Sequence, residues 1–313
     1  MYEDQPDPPF ALQIELTQGC NLQCTFCGIN AIQDPKNKVF KYMELETLHN
    51  ILNRLPPWNP RIEFAMHGEP TMHPEWLKFI EETRRMMPAA SIMMTSNGGG
   101  LLKNTVSTLS TAFDNGLNLF AMDEYQTVKI GQKIRQAFDR DSHMVDFKIG
   151  EYPEDKHLSP HQRWPVDARQ FIFIEDISVA RDGTHSTLNN HAGSGAPLNF
   201  SKAGKRCAKP FREIAVRYDG SIAICCNDWL GRYNCGNVNE TPLHEIWSGP
   251  AFQTARRYLY HGMRDLAPCY GCDAVSYRVG FLPDKKGKEE LPKPTKRDKE
   301  RWEHKVKQKP LVP

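Results

Sequence analysis

The run Glu15-Leu16-Thr17-Gln18-Gly19-Cys20-Asn21-Leu22-Gln23-Cys24-Thr25-Phe26-Cys27 sets three cysteines into a C-x3-C-x2-C pattern. It follows directly on the alternating apolar run Phe10 to Leu16, which reads as a β-strand. So tight a triplet cannot pair off into disulfides, and thiolates are soft ligands suited to iron–sulfur clusters or zinc. Three sulfurs on a four-iron cubane leave one iron open, where a small molecule can coordinate. The competing readings are a structural zinc knuckle and cysteines that merely pack.

The chain has 313 residues, room for one large domain or two ordinary ones. Its apolar fraction of 39% is that of a globular protein, and no run approaches the ~18–20 apolar residues of a membrane span. Met1-Tyr2-Glu3-Asp4-Gln5 is acidic and unlike a signal peptide. The nine cysteines cluster at 20/24/27, 207/225/226/235 and 269/272, which reads as metal ligation in a reducing compartment, so a cytoplasmic location is expected. The segment 284–313 holds eleven Lys/Arg against six Asp/Glu, leaving −3 on the rest of a chain whose total is +2. It reads as a basic, disordered tail, either simply solvated or able to meet a nucleic acid.

Strand and helix patterns alternate after the triplet. Met43–Leu55, Pro74–Met87, Thr105–Phe113 and Tyr125–Phe138 read as helices. Arg61–Met66, Ser91–Thr95, Leu117–Met122, His143–Ile149 and Phe171–Ile174 read as strands. Alternation of this kind indicates an α/β fold on a parallel sheet, whose chemistry collects on loops at the carboxyl ends of strands. The Cys loop, His67-Gly68-Glu69-Pro70 and Ser96-Asn97-Gly98-Gly99-Gly100 all fall there.

With these residues in view, the chain resembles the radical S-adenosylmethionine (radical SAM) enzymes. Cys20, Cys24 and Cys27, with the aromatic Phe26 before the last, match that family's cluster motif. Gly68-Glu69-Pro70 matches its Gly-Gly-Glu-Pro loop, with His67 in place of the first glycine. Ser96 and Asn97 stand where the family has Thr-Asn-Gly, and Asp123 at the Asp of its Ser-Leu-Asp strand end. The resemblance spans about residues 10–195 and implies a partial (β/α)6, TIM-like barrel. It implies a 4Fe-4S cluster on the triplet, S-adenosylmethionine bound near Phe26, Gly68, Glu69, Pro70, Ser96, Asn97 and Asp123, and a low-potential donor such as flavodoxin or ferredoxin. In such enzymes the bound cofactor is cleaved to a 5′-deoxyadenosyl radical that abstracts hydrogen from a substrate.

A second cysteine set follows. Glu213–Tyr218 and Ser221–Cys225 flank Asp219-Gly220, a strong hairpin signal. Cys207 and Cys225 stand C-x17-C apart, and Cys269 and Cys272 form a later C-x2-C. Four thiolates from distant segments can close a cluster, or hold zinc equally well. The order Gly220-x4-Cys225, a Gly236-Asn237-Val238 turn, a helix holding Glu245-Ile246-Trp247 and the terminal C-x2-C resembles the SPASM/Twitch auxiliary-cluster domains. No cysteine follows Cys272, so the single-cluster Twitch form fits, with Cys207, Cys225, Cys269 and Cys272 as ligands, Cys226 as alternative to Cys225, and Cys235 packed. The expected divisions are 1–195 (barrel), 196–283 (auxiliary iron–sulfur domain) and 284–313 (tail). The polar linker holds Asn190, His191 and Ser194, candidates for contact with cofactor or substrate.

The expected function is oxidation or radical isomerisation of a small molecule. Two other substrate classes are an already modified nucleic-acid base, which rests on the basic tail, and a ribosomal peptide. A zinc-stabilised nucleic-acid-binding module is the non-enzymatic alternative, and it leaves the Gly68-Glu69-Pro70 loop to chance.

Overall fold

The computed structural model describes residues 6–124, 128–152, 163–174, 190–195, 206–264, 267–270, 272–274 and 291–307. The chain opens with β1 (Ala11–Ile14), a short antiparallel pair β2 (Thr17–Gln18) and β3 (Lys41–Tyr42), and α1 (Leu45–Leu52). There follow β4 (Arg61–Phe64), α2 (Trp76–Met86), β5 (Ile92–Ser96), α3 (Thr105–Asp114), β6 (Leu119–Asp123) and α4 (Val128–Asp141). Two more strands, β7 (Lys148–Tyr152) and β8 (Gln170–Ile174), complete this half. The six longer strands are parallel in the order β1-β4-β5-β6-β8-β7, an α/β half-barrel in which the last two strands exchange places.

Parallel strands are covered on both faces, which is why β1 is buried at all four positions. One face carries Leu12, Ile14, Ile62, Phe64, Phe120 and Phe171 and meets the helices. The helices answer with stripes at i, i+3, i+4 and i+7, such as Trp76, Phe79, Ile80 and Thr83 of α2. Each such aliphatic or aromatic side chain contributes roughly 1.5–3 kcal/mol on burial. The other face carries Met93, Leu119, Ala121, Ile172 and Ile174, closed by Trp164. Trp164 is fixed at the strands' amino ends, its amide donating to Ser91 Oγ (2.8 Å) and its indole to Gln170 Oε1 (2.8 Å). That end is plugged, so the carboxyl end is left for a site.

The C-terminal part adds α5 (Lys209–Arg212), β9 (Glu213–Val216), β10 (Ser221–Ala223), β11 (Asn234–Asn237), α6 (Leu243–Ser248), α7 (Pro250–Tyr260) and α8 (Lys296–Lys307). The β9–β10 turn forms as its sequence dictates. Asp219 Oδ1 accepts from the Ser221 amide (3.0 Å), and Gly220 takes φ +79°, which glycine adopts without penalty. This hairpin does not stand apart. β9 pairs in parallel with β1, giving one nine-stranded sheet, β11-β10-β9-β1-β4-β5-β6-β8-β7, among the described residues.

Three expectations are corrected. His143–Ile149 is not a strand: α4 runs on to Asp141 through polar residues, a 3-10 turn fills Ser142–Met144, and the strand begins at Lys148. Gly236 and Asn237 belong to β11, paired with β10, rather than to a free turn. The basic tail is not disordered throughout, since α8 docks on α7. Trp302 of α8 is fully buried between Tyr233 (4.5 Å) and Tyr258 (5.0 Å), and Asp298 accepts from Arg257 (2.6 Å) and Thr254 (2.9 Å). One large aromatic and one paired carboxylate hold a helix whose exposed residues, among those described, are Lys296, Arg297, Lys299, Glu300 and His304. No helix of the described residues is long and apolar enough to cross a membrane.

Candidate active site

Loops after β1, β4 and β5 meet at the carboxyl ends of the strands. The first two are joined by a strand-like bridge in which Gly19 N donates to His67 O (3.3 Å) and Glu69 N to Gly19 O (2.9 Å). The approach is close because Gly68 has no side chain. A Cβ there would lie 2.2 Å from Thr17 O and 2.5 Å from Gly19 O, both backbone atoms with no means of yielding. Gly68→Ala should therefore part the loops, costing about 1–3 kcal/mol by overpacking; urea denaturation checks the loss, and unchanged stability would show that the bridge is dispensable.

Glu69 ties the third loop to this pair. Its Oε1 accepts from Thr71 N (2.9 Å), Thr71 Oγ1 (2.5 Å) and Ser96 Oγ (2.7 Å), and its Oε2 from Asn97 N (2.7 Å). Burial pushes this carboxyl up, opposed by those same hydrogen bonds. The side chain thus organises the loops from within. Asn97, so placed, reaches the triplet, with Nδ2 donating to Asn21 Oδ1 (2.8 Å) and lying 3.4 Å from Cys20 Sγ. Gln33 holds the Cys20 peptide on both sides, accepting from its amide (2.7 Å) and donating to its carbonyl (2.9 Å). Asp123, at the end of β6, lies within electrostatic reach of Cys27.

The thiols are set for a cationic group. Burial pushes Cys20 and Cys27 up to about 12, with Glu69 adding to the rise at Cys20 and Cys24 at Cys27. Thiols so placed become thiolates only where positive charge binds them. Backbone donors already face two sulfurs, Leu22 N at 3.3 Å from Cys20 Sγ and Ile29 N at 3.5 Å from Cys27 Sγ.

Trp229, on the loop after β10, seats against this triplet from the auxiliary side. A Cβ on Gly28 would lie 2.5 Å from its indole, so the ring rests on bare backbone. His67 and His191 flank it, with ring centroids 4.7 and 5.4 Å away. His67 also joins the halves by hydrogen bonds, its Nδ1 3.1 Å from Glu15 Oε1 and its Nε2 donating to the Cys226 carbonyl (2.8 Å). Glu15 in turn accepts from Tyr218 N (3.0 Å) on the hairpin. Met66, His191 and Ala192 are the non-glycine residues with positive φ among those described, and all three flank this junction, where backbone strain commonly collects.

His191 Nδ1 accepts from Gly28 N (2.9 Å), so the ring serves as neutral imidazole. Burial lowers its pKa from 6.5 to about 4, aided by repulsion from His67 and Lys209. A lowered pKa means the unfolded chain binds the extra proton first. Stability is therefore full above about pH 6.5 and falls as pH drops toward 4, by on the order of 3 kcal/mol. Denaturant midpoints of the wild type and of His191→Gln across this window check the sign, and the variant should show the shallower slope.

The second cysteine set lies at the far side of this junction. Cys207 precedes α5, Cys225 follows β10, and Cys269 and Cys272 follow α7, yet all four line a single cavity. Arg264 ties these segments, donating to the carbonyls of Arg206 (3.1 Å), Cys272 (3.1 Å) and Ala274 (3.1 Å). Cys226 is not in the lining; its Sγ faces Lys209 Nζ at 3.3 Å. Asn227 does line the cavity, and its buried Nδ2 has no hydrogen-bond partner among the described residues. Thiols with an unmet N–H donor are a lining fitted to a group that carries acceptor sulfurs.

Of the residues singled out from sequence, Cys20, Cys24, Cys27, Gly68, Glu69, Ser96, Asn97 and Asp123 share one neighbourhood. Pro70 opens a buried 3-10 turn beside them, and Phe26 is half-buried with its carbonyl against Gly195. Asn190 joins the auxiliary side, its amide donating to Asp273 Oδ1 (2.7 Å) next to Cys272. Gln33, Trp229, Lys209 and Asn227 had no motif to announce them.

Residues 14–123 match the Radical SAM superfamily, and residues 207–273 match SPASM, an iron-sulfur cluster-binding domain. The S-adenosyl-L-methionine-dependent 2-deoxy-scyllo-inosamine dehydrogenase of Niallia circulans is 21% identical over 269 residues, 86% of this chain and 94% of that protein. Among solved structures, BtrN in complex with AdoMet and 2-DOIA has a TM-score of 0.66 at 19% identity, covering 88% of this chain and 100% of its own. The structure of anSMEcpe with bound AdoMet has a TM-score of 0.51 at 16% identity, covering 85% of this chain and 84% of its own. The two matched domains imply S-adenosylmethionine and two 4Fe-4S clusters as cofactors. The chain belongs to the radical SAM superfamily of enzymes, with a SPASM iron–sulfur domain after its half-barrel.

Proposed function

We propose that this enzyme is a dehydrogenase that converts a carbinol carbon of a small, polar, amino-bearing alcohol of the cyclitol or amino-sugar class to a carbonyl. Cys20, Cys24 and Cys27 hold the radical-generating cluster; Cys207, Cys225, Cys269 and Cys272 hold the auxiliary one. The observation that carries the reading is the convergence of those four distant cysteines on one cavity, joined to the triplet through Trp229. When bound, S-adenosylmethionine and the two clusters supply a 5′-deoxyadenosyl radical and a place for one electron. Hydrogen-atom loss from the substrate C–H, then loss of one electron and the hydroxyl proton, gives the carbonyl with atoms and electrons balanced. An isomerase would need no acceptor for that electron.

The chain's own residues prepare the reaction. Glu69, Ser96 and Asn97 fix the loops that receive the cofactor, and Trp229, stacked with His191, packs on Gly28 beside Cys27. The likeness to a 2-deoxy-scyllo-inosamine dehydrogenase along most of both chains supports the substrate class. A low-potential flavodoxin or ferredoxin supplies the first electron. The test is an anaerobic assay of the reconstituted enzyme with S-adenosylmethionine, dithionite and a panel of aminocyclitols and amino sugars. One ketone per 5′-deoxyadenosine is expected. Cofactor cleavage with no carbonyl product from any member would refute the dehydrogenase reading.

A further inference from the structure

The auxiliary cavity carries more than thiols. Lys209, on the first turn of α5, is buried, with Nζ 3.1 Å from Glu213 Oε2 and 3.3 Å from Cys226 Sγ. The cavity also holds Asn227, 5% exposed, whose Nδ2 is without a partner among the described residues. Leaving a buried N–H unpaired is unfavourable, so a donor kept in such a place points to an acceptor that enters the cavity.

We propose that Lys209 and Asn227 set the reduction potential of the auxiliary iron–sulfur group, Lys209 by a fixed positive charge beside Cys226 and Asn227 by an N–H donated to a sulfur of the group. The inference rests on the reading that the second cysteine set holds such a cluster. Reduction adds one negative charge to a site already rich in thiolate, in surroundings of low polarity. A nearby cation and a hydrogen bond to sulfur both stabilise the reduced form and raise the potential. Glu213 has the opposite sign: its carboxylate offsets part of the Lys209 charge. The arrangement therefore favours a group that takes up the electron lost by the substrate, and these are positioning and tuning residues rather than catalytic ones.

The opposed signs make the test specific. The full chain with Cys20, Cys24 and Cys27 changed to Ser, reconstituted anaerobically with iron and sulfide, isolates the auxiliary group for an EPR-monitored potentiometric titration. Lys209→Met and Asn227→Leu should each lower the reduction equilibrium at least tenfold, about 59 mV for one electron. Glu213→Gln should shift it upward, and Lys209→Arg should restore the parent value. A merely structural role would not move the potential in opposite directions. Iron-loaded variants that all titrate with the parent would overturn the proposal while leaving the cluster assignment intact. Where Lys209→Met fails to load iron, the potentials of Glu213→Gln and Asn227→Leu decide between the same two outcomes. Zinc in place of iron in the parent, seen by metal analysis before any titration, would overturn the cluster reading and the proposal with it.

Discussion

Changing Cys20, Cys24 and Cys27 together to Ala will reduce 5′-deoxyadenosine formation to the level of an enzyme-free control. It will also lower the iron content from about eight to about four per chain. The expectation follows from where the three thiols sit. Burial holds Cys20 and Cys27 protonated at neutral pH unless a cationic group binds them, and Asn97, Leu22 and Ile29 already present donors to their sulfurs. The loops after β1, β4 and β5 hold no other cysteine among the described residues, so no residual site remains there once they are gone. The measurements are product chromatography after anaerobic incubation with dithionite, alongside iron and sulfide analysis. A triple variant that still makes 5′-deoxyadenosine would remove the radical assignment at its root.

The neighbouring pair Cys225 and Cys226 supplies the second large effect. Cys225→Ala should halve the bound iron and abolish carbonyl product, while leaving cofactor cleavage uncoupled from substrate. Cys226→Ala should keep the full iron content. The two cysteines sit in the turn after β10, closed by Asp228 N donating to Cys225 O (3.1 Å), and of the pair only Cys225 lines the cavity shared with Cys207, Cys269 and Cys272. Cys226 faces Lys209 instead, while its carbonyl receives His67. Iron and sulfide analysis of the two variants decides the matter: the reverse outcome, with iron lost from Cys226→Ala alone, would exchange their roles.

Much of this was legible in sequence because the signals were local. Cysteine spacing, the strand-end glycines and the Asp219-Gly220 turn each act within a few residues. They located the triplet, the Gly68-Glu69-Pro70 loop and the hairpin where the structure has them. What escaped depends on contacts distant in sequence. Trp229 lies in Asn-Asp-Trp-Leu-Gly, where nothing announces that its ring will rest on Gly28. Lys209 reads as an ordinary surface lysine until Glu213 and Cys226 are folded around it. Helix α8 was hidden by its own charge, since a single buried Trp302 anchors a segment whose composition otherwise reads as solvated. Nor does the local sequence announce that the Glu69 carboxylate ties Thr71, Ser96 and Asn97 together.

The β1–β9 ladder has a consequence for how the enzyme can be handled and how it can vary. Main-chain hydrogen bonds run from one cysteine set's strand to the other's, with Phe10 N donating to Arg212 O (2.7 Å) and Glu15 N to Val216 O (2.9 Å). Cutting the chain between its halves would strip β1 of these partners and leave a bare, apolar strand edge, a template for aggregation. The spacing between the two cysteine sites is thereby measured in strand registers rather than in linker length. A one-residue slip would turn every β9 side chain to the opposite face, so a change in the distance between the two cysteine sites has to come from the loops and leave the sheet untouched.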